Sequence, residues 1–219
     1  MKFHGQYEQD KYLNKLFKGK TNGTFVDIGA HDGQTFSNSY FFEKEKNWKG
    51  VCVEPIPEVF AKLDNVRNCI KVNGCISNKV GTETFLRVKG AVVDTEMLSG
   101  LVEDYDKRHL ERINREIKEY GGSKEEIEVK CYDINQVLKD NNIKKVDFFT
   151  IDTEGNELKI LQTINFNEFD FDIFLVENNY QTDEMNQFMT LNGFKRVKKI
   201  GHDEVYRKKS KLTFLQKVL

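Results

Sequence analysis

Four acidic residues of this 219-residue chain stand at the ends of short apolar runs. Asp27 lies inside 25–28, Glu54 follows 50–53, Asp152 follows 145–151 and Glu177 follows 171–176. Runs of this kind read as buried strands, and in an open α/β sheet ligands gather outside the carboxyl ends of the strands. Acids gathered there can accept hydrogen bonds from hydroxyls, face a cation or take up a proton. The first run enters a turn carrying Gly29 and Gly33, where a ligand can approach the backbone closely. A helix following from about Phe36 would aim its free N–H groups and positive dipole end at the same place. Glu54 comes 21 residues after Gly33, where an acid can bond both hydroxyls of a ribose.

The glycine spacing selects among nucleotide sites. A G-x-G-x-x-G fingerprint counted from Gly29 needs glycine at 31 and 34, and the chain has His31 and Gln34. The Asp27-x-Gly29-x-x-x-Gly33 pattern resembles instead the first motif of class I S-adenosylmethionine-dependent methyltransferases. That likeness implies that Asp27 bonds the amino group of the methionine moiety, with His31 and Asp32 lining the loop. Methyl transfer to a hydroxyl needs alignment and removal of a proton. Asp152 is the first candidate base, because its strand should neighbour the first one; Glu154, Glu177 and His109 stand behind it. Residues 152–155 also read as a helix N-cap whose acids complement the dipole, a role compatible with catalysis. Asp152, Glu154 and Glu177 offer oxygen ligands suited to Mg²⁺, but no metal is assigned.

The elements that must position these residues follow from periodicity. Residues 5–18 read as a first helix and 36–46 as a second, with Phe36, Tyr40 and Phe41 at core spacing. Pro55 and Pro57 fix the turn beside the proposed ribose site, and Val59, Phe60 and Leu63 mark a helix. Residues 69–72 form a third strand, whose exit through Gly74 and Cys75 would flank an adenine ring. Residues 82–88 alternate as an extra edge strand with no readable partner. Leu98, Leu101, Val102, Tyr105, His109, Ile113, Ile117 and Tyr120 recur every three or four positions. They predict one amphipathic helical insertion over about 94–120, or two helices joined near Lys107. Residues 128–132 read as a short strand, and 134–141, 158 onward and 185–191 as helices. Residues 194–200 and 204–208 pair as a hairpin through 201–203.

These elements predict a single domain over 1–219 with a mostly parallel seven-stranded sheet, a C-terminal antiparallel hairpin and the helical insertion. No apolar run reaches membrane-spanning length and the first residues form no signal region, so a cytoplasmic location is expected. The four cysteines show no C-x-x-C spacing, which argues against a zinc site or disulfide framework. From residue 195 onward there are nine Lys or Arg and two acids, a balance of +7 against −8 for the remainder. This strip reads as protection of a sheet edge, since lysine there discourages edge-to-edge aggregation.

The chain as a whole resembles the FkbM family of S-adenosylmethionine-dependent methyltransferases. The likeness rests on 9–13 (QDKYL), 25–33 (FVDIGAHDG), 37–44 (SNSYFFEK), 48–55 (WKGVCVEP), 151–158 (IDTEGNEL) and 201–206 (GHDEVY). It implies a Rossmann-like methyltransferase fold acting on a hydroxyl, often of a sugar or natural product. It also implies cofactor positions at Asp27, Gly29, His31, Glu54 and Asp152, with Gln9 and Asn38 as further candidates. The expected acceptor is a small hydroxyl compound, such as a sugar or phosphorylated metabolite, chosen by the segment 94–120. A nucleic-acid substrate is disfavoured: there is no Asn/Asp-Pro-Pro-Tyr segment, and the basic strip lacks interleaved aromatics. The remaining rival is a binding module that keeps the fold without catalysis.

Overall fold

The computed structural model describes residues 1–90 and 92–212. In chain order the elements are α1 (Gln9–Leu16), β1 (Thr24–Ile28), α2 (Tyr40–Lys46), β2 (Lys49–Glu54), α3 (Pro57–Val66), β3 (Ile70–Asn73), β4 (Cys75–Ile76) and β5 (Gly81–Gly90). Then follow α4 (Val93–Glu96), β6 (Gly100–Leu101), α5 (Lys107–Tyr120), β7 (Gly122–Tyr132), α6 (Ile134–Asp140), β8 (Lys145–Ile151), α7 (Glu157–Thr163), β9 (Asp170–Glu177), α8 (Asp183–Leu191), β10 (Phe194–Ile200) and β11 (Asp203–Lys208).

Seven strands form one sheet in the order β10-β11-β9-β8-β1-β2-β3. The run from β9 to β3 is parallel, and β11 lies antiparallel to both its neighbours. This is the Rossmann-like class I methyltransferase arrangement that the alternation of apolar runs and helices predicts. The side-chain period of two sends successive residues of β1 to opposite faces. Val26 and Ile28 join a core with α6, α7 and α8, while Phe25 joins one with α1, α2 and α3. The chain reverses direction across the sheet between β1 and β8, the topological switch point where such sheets bind ligands. There the Asp152 N–H donates to the Ile28 carbonyl at 3.1 Å.

The basic strip falls mainly on β10, an outer strand of this sheet, and on β11; Lys217 lies outside the described residues. Lys208 bonds Asp170 and Arg196 bonds Glu204, so part of its charge is paired.

Two segments differ from expectation. The second helix begins at Tyr40, not near residue 36. The Asp32 carboxylate accepts from the N–H groups of Gln34 and Thr35 and from the Thr35 hydroxyl, which folds 32–35 into a turn. Asp and Thr side chains compete in this way with helical hydrogen bonds. Phe36 has φ +55° and is exposed, so it is not a core residue. The helix therefore starts ten residues after the first glycine's neighbour Ala30, and its dipole does not sit directly behind the glycine turn.

The stretch 94–120 is not one helix. It contains α4, β6, a short 3₁₀ turn at Val102–Asp104 and α5. The extra strand expected at 82–88 is β5, and its partner is β7, paired from Gly81↔Cys131 to Gly90↔Gly122. With β4 and β6 they make a second, four-stranded sheet in the order β4-β7-β5-β6. Phe85 packs with Ile56 and Val59 towards α3, whereas Leu86 and Val88 pack with Leu98 and with Ile113 of α5. Leu98 and Leu101 thus keep a helix-like spacing but serve the two faces of the second sheet, Leu98 with Leu86 and Val88 and Leu101 with Phe85. Among the described residues no helix is long and apolar enough to cross a membrane.

Candidate active site

A cavity of about 750 Å³ opens over the carboxyl ends of β1, β2, β8 and β9. Asp27, Gly29, His31, Asn38, Glu54, Pro55, Gly74, Cys75 and Asp152 all line it, as do Glu154 and Glu177. Strand register explains much of this grouping, since Asp27 pairs with Thr150 of β8 and Glu54 with Asn73 of β3.

Gly29 has φ +82°, and a Cβ placed on it would lie 1.8 Å from the Asp152 carbonyl oxygen. Its missing side chain lets β1 and β8 close on one another at the switch point. Glu54 is buried; its two carboxylate oxygens accept from the N–H groups of His31, at 3.0 Å, and Ile56, at 2.8 Å. The side chain therefore ties the glycine turn to the exit of β2, and each oxygen keeps a further lone pair for a ligand. Burial pushes the Glu54 carboxyl up to about 7, against the His31 and Ile56 bonds that favour its charge.

The sign of that shift fixes a pH dependence. A carboxyl raised in the folded protein stabilises most below its ordinary value, and this contribution is lost as pH rises to about 7. Without ligand, the native protein should lose stability between about pH 4.5 and 7 through this group, by roughly 3 kcal/mol at most. Urea unfolding of the Glu54→Gln variant, compared with wild type at pH 5 and pH 8, should show a smaller decline.

Asp27 lies on the same face of β1 as Phe25, and its carboxylate accepts from the Ser39 hydroxyl. That hydroxyl accepts from Arg67 Nη2 at 2.8 Å. Arg67 is 1% exposed and also reaches Glu43, at 2.8 Å, and the Gly33 carbonyl, at 2.9 Å. Burial raises the Asp27 carboxyl, and Arg67 and Ser39 oppose the shift. Beside it, Asn38 donates towards the Thr150 hydroxyl at 3.4 Å, and its Oδ1 is buried without a partner. His31 Nε2 is likewise buried without a partner, while its Nδ1 lies 3.8 Å from Asp32 Oδ1.

The loop after β8 is built by Glu157, one of whose oxygens accepts from the Thr153 N–H, the Thr153 hydroxyl and the Gly155 N–H. It holds Glu154 at φ +61°, an uncommon conformation for a non-glycine residue. Glu154, Asp152 and Glu177 can each offer one oxygen within 4.8 Å of the others. Asp152 faces the open cavity, so water reaches a carboxyl that otherwise lies deep in the protein. Burial and the nearby Asp203 and Glu157 push it up to about 7. Glu154 and Glu177 are raised by burial and next by the Asp152 carboxylate, with Arg112 opposing the rise at Glu154.

Three expected site residues stand elsewhere. Gln9 is buried below the sheet end, donating to Asp203 at 2.6 Å and accepting from the Tyr7 N–H at 2.8 Å; it anchors the N-terminal turn and is outside the lining. Gly33 faces Arg67, since a Cβ there would lie 2.8 Å from Arg67 Cγ. Its glycine serves loop packing, not close approach of a ligand. His109 is 1% exposed and sits behind Glu154, with Nδ1 3.4 Å from Glu154 Oε2.

Other lining residues were not singled out by sequence. Arg108, Arg112 and Arg115 edge the mouth from α5. Their i, i+4, i+7 spacing was the available signal, hidden among the many charges of that helix. Ile56, Ile76 and Phe85 supply apolar lining between the Glu54 side and the second sheet.

The family model described as "Methyltransferase FkbM domain" matches residues 27–196. No curated protein matches the sequence significantly. Among solved structures, the precorrin-6y C5,15-methyltransferase from Geobacter metallireducens aligns with a TM-score of 0.46 at 11% identity, over 93% of this chain and 88% of that one. A methyltransferase from Pyrococcus furiosus aligns with a TM-score of 0.41 at 13% identity, over 95% and 88%.

Proposed function

This chain belongs to the FkbM methyltransferase domain family, and from that premise we propose that it uses S-adenosylmethionine to methylate a hydroxyl of a small metabolite, such as a sugar. The observation that carries the reading is Glu54, a buried acid at the tip of β2 on the wall of a cavity whose opposite side is the β8–β9 carboxylate cluster. The cavity fits such a cofactor. It offers a ribose-binding acid, apolar walls at Ile56, Ile76 and Phe85, and buried polar atoms without partners on His31 and Asn38.

When bound, S-adenosylmethionine supplies a methyl group made electrophilic by its sulfonium. The protein's own residues do the rest. Glu54 accepts from the ribose hydroxyls, and Pro55, Gly74 and Cys75 flank the base. Asp27 and Asn38 meet the polar methionine end. Asp152, at the tip of β8, removes the proton from the acceptor hydroxyl. A base with a pKa near neutrality is present in useful amounts both free and protonated at the pH where it works. The acceptor enters past α5, whose Arg108, Arg112 and Arg115 stand at the mouth.

Calorimetric titration with S-adenosylhomocysteine tests the reading. One site per chain is expected, weakened at least tenfold in Glu54→Ala, because hydrogen bonds to a charged group are worth about 1.5–3 kcal/mol each. A cofactor site that is absent, or indifferent to Glu54, would sink it.

A further inference from the structure

We propose that Arg112 and Arg115 of α5, with Arg108 beside them, bind a phosphate group carried by the acceptor. That the phosphate compound is the acceptor rests on the methyl-transfer reading; that these residues bind phosphate does not. The cavity is divided by charge. Asp152, Glu154 and Glu177 stand at the strand ends, and Glu96 lines the Glu54 side, near enough to act on that carboxyl. The mouth carries Arg108, Arg112 and Arg115. Their i, i+4, i+7 spacing puts all three on one face of α5, along about 10 Å of its axis. Glu111 shares that face and has Lys107 as its own partner at 3.9 Å.

The three guanidinium groups keep free donors. Arg115 is exposed and bonds no acid among the described residues. Arg112 gives only its Nε, to Glu116 at 2.8 Å, and its two Nη groups bond nothing among the described residues. Glu116 also accepts from the Thr95 hydroxyl at 3.1 Å, which ties this pair to α4. Arg108 donates Nε and Nη2 to Asp106, each at 2.9 Å, and its guanidinium carbon lies 4.1 Å from the Tyr180 ring centroid. Its Nη1 is left over. A guanidinium held on a carboxylate and a ring is oriented before a ligand arrives, which lowers the ordering cost of binding. The acids at the strand ends do not cancel Arg112. Burial holds Glu154 and Glu177 well above the ordinary carboxylate range, which favours their uncharged form.

The donor set identifies the class of anion. A guanidinium fork matches two oxygens of a carboxylate or a phosphate. One fork is enough for a carboxylate. Side chains three residues apart on a helix stand about 5–6 Å apart at Cβ, so Arg112 and Arg115 can close together on one phosphate, with its three oxygens and nearly double charge. A phosphate held at the mouth leaves the uncharged hydroxyl end of the same molecule to face Asp152.

The test is calorimetric titration of the full chain with inorganic phosphate, at low ionic strength and without cofactor. One saturable site per chain is expected. Arg112→Gln and Arg115→Gln should each weaken it at least tenfold, through loss of charged hydrogen bonds. Arg112→Lys should recover only part, since an ammonium keeps the charge but not the fork. Lys199→Gln, which removes an exposed cation of β10, should leave binding unchanged. Acetate should bind at least tenfold more weakly than phosphate. Saturating S-adenosylhomocysteine should leave phosphate affinity within a few fold. Absence of saturable binding at millimolar phosphate, or binding indifferent to both glutamine variants, would overturn the proposal. Acetate bound as tightly as phosphate would overturn the phosphate class. Displacement of phosphate by S-adenosylhomocysteine would put it in the cofactor's space and overturn its assignment to the acceptor. Phosphate bound by a chain that does not bind S-adenosylhomocysteine would remove the methyl-transfer reading and leave the anion site standing.

Discussion

Asp152→Asn is expected to abolish methyl transfer while leaving cofactor affinity within a few fold of wild type. The substitution keeps shape and one oxygen acceptor but removes the carboxylate proposed to take the proton. Its backbone N–H to Ile28, which joins β8 to β1, is untouched. Loss of a general base costs typically 10²–10⁴-fold in rate. The measurement is S-adenosylhomocysteine formed with an acceptor that supports wild-type turnover, paired with calorimetry of cofactor binding. Turnover that survives at near wild-type rate would place the base elsewhere.

Arg67→Ala is expected to destabilise the protein by about 3–5 kcal/mol, the usual cost of leaving a buried charge without its partner. Arg67 lies under the glycine turn and gathers Glu43, Ser39 and the Gly33 carbonyl, with Asp27 one hydroxyl further on. Its guanidinium also sits 5.3 Å from the Phe25 ring centroid. Removing it takes the guanidinium from Glu43 and from the Ser39–Asp27 pair, and leaves Glu43 with Lys44, at 3.1 Å, and the Asn68 N–H. For a domain of this size such a loss is a large part of the total stability. Urea unfolding measures it. Arg67→Lys should recover only part, because an ammonium cannot reproduce the fork that spans Glu43, Gly33 and Ser39. A loss below 1 kcal/mol would show that the network is dispensable.

Arg67 was not recognisable in the sequence, where it is one cation of many at the end of a helix. Asp27 was recognisable, because a charged residue inside an apolar strand beside two glycines is conspicuous. β1, β2, β8 and β9 were legible for the same reason: parallel strands covered on both faces read as continuous apolar runs. The hairpin of β10 and β11 was legible from its glycine turn.

The second sheet was not legible. The first half of β7, residues 122–126, is polar and exposed, so its pairing with β5 leaves little apolar alternation to read. Leu98, Leu101 and Tyr105 share a period with α5 by coincidence of spacing, and that period reads as one long helix, or two joined near Lys107, where the chain makes α4, β6, a 3₁₀ turn and the 14-residue α5 that begins at Lys107. This segment serves a core and the cavity together. α5 buries Ile113 against Leu86 and Val88 on one side and presents Arg108, Arg112 and Arg115 to the cavity on the other. In the sequence His109 is only a reserve candidate for the base, behind Asp152. Its position behind Glu154 depends on Leu98 and Tyr105, contacts that exist only once that segment is folded.

The grouping at the heart of the site was better specified than its supports. Glu54, Asp152 and Glu177 were located by one rule, that acids at the carboxyl ends of neighbouring parallel strands face a common space. What arranges them is local and irregular. Asp32 folds the turn that displaces α2, and Glu157 folds the loop that presents Glu154. Such side-chain-to-backbone bonds carry no periodic signal.

The most direct test is a crystal structure of the protein with S-adenosylhomocysteine. The account predicts the ribose hydroxyls on the Glu54 carboxylate, the adenine between Ile56 and the Gly74–Cys75 backbone, and the sulfur turned towards Asp152. A nucleoside bound away from Glu54, or a cavity that stays empty at saturating ligand, would contradict it.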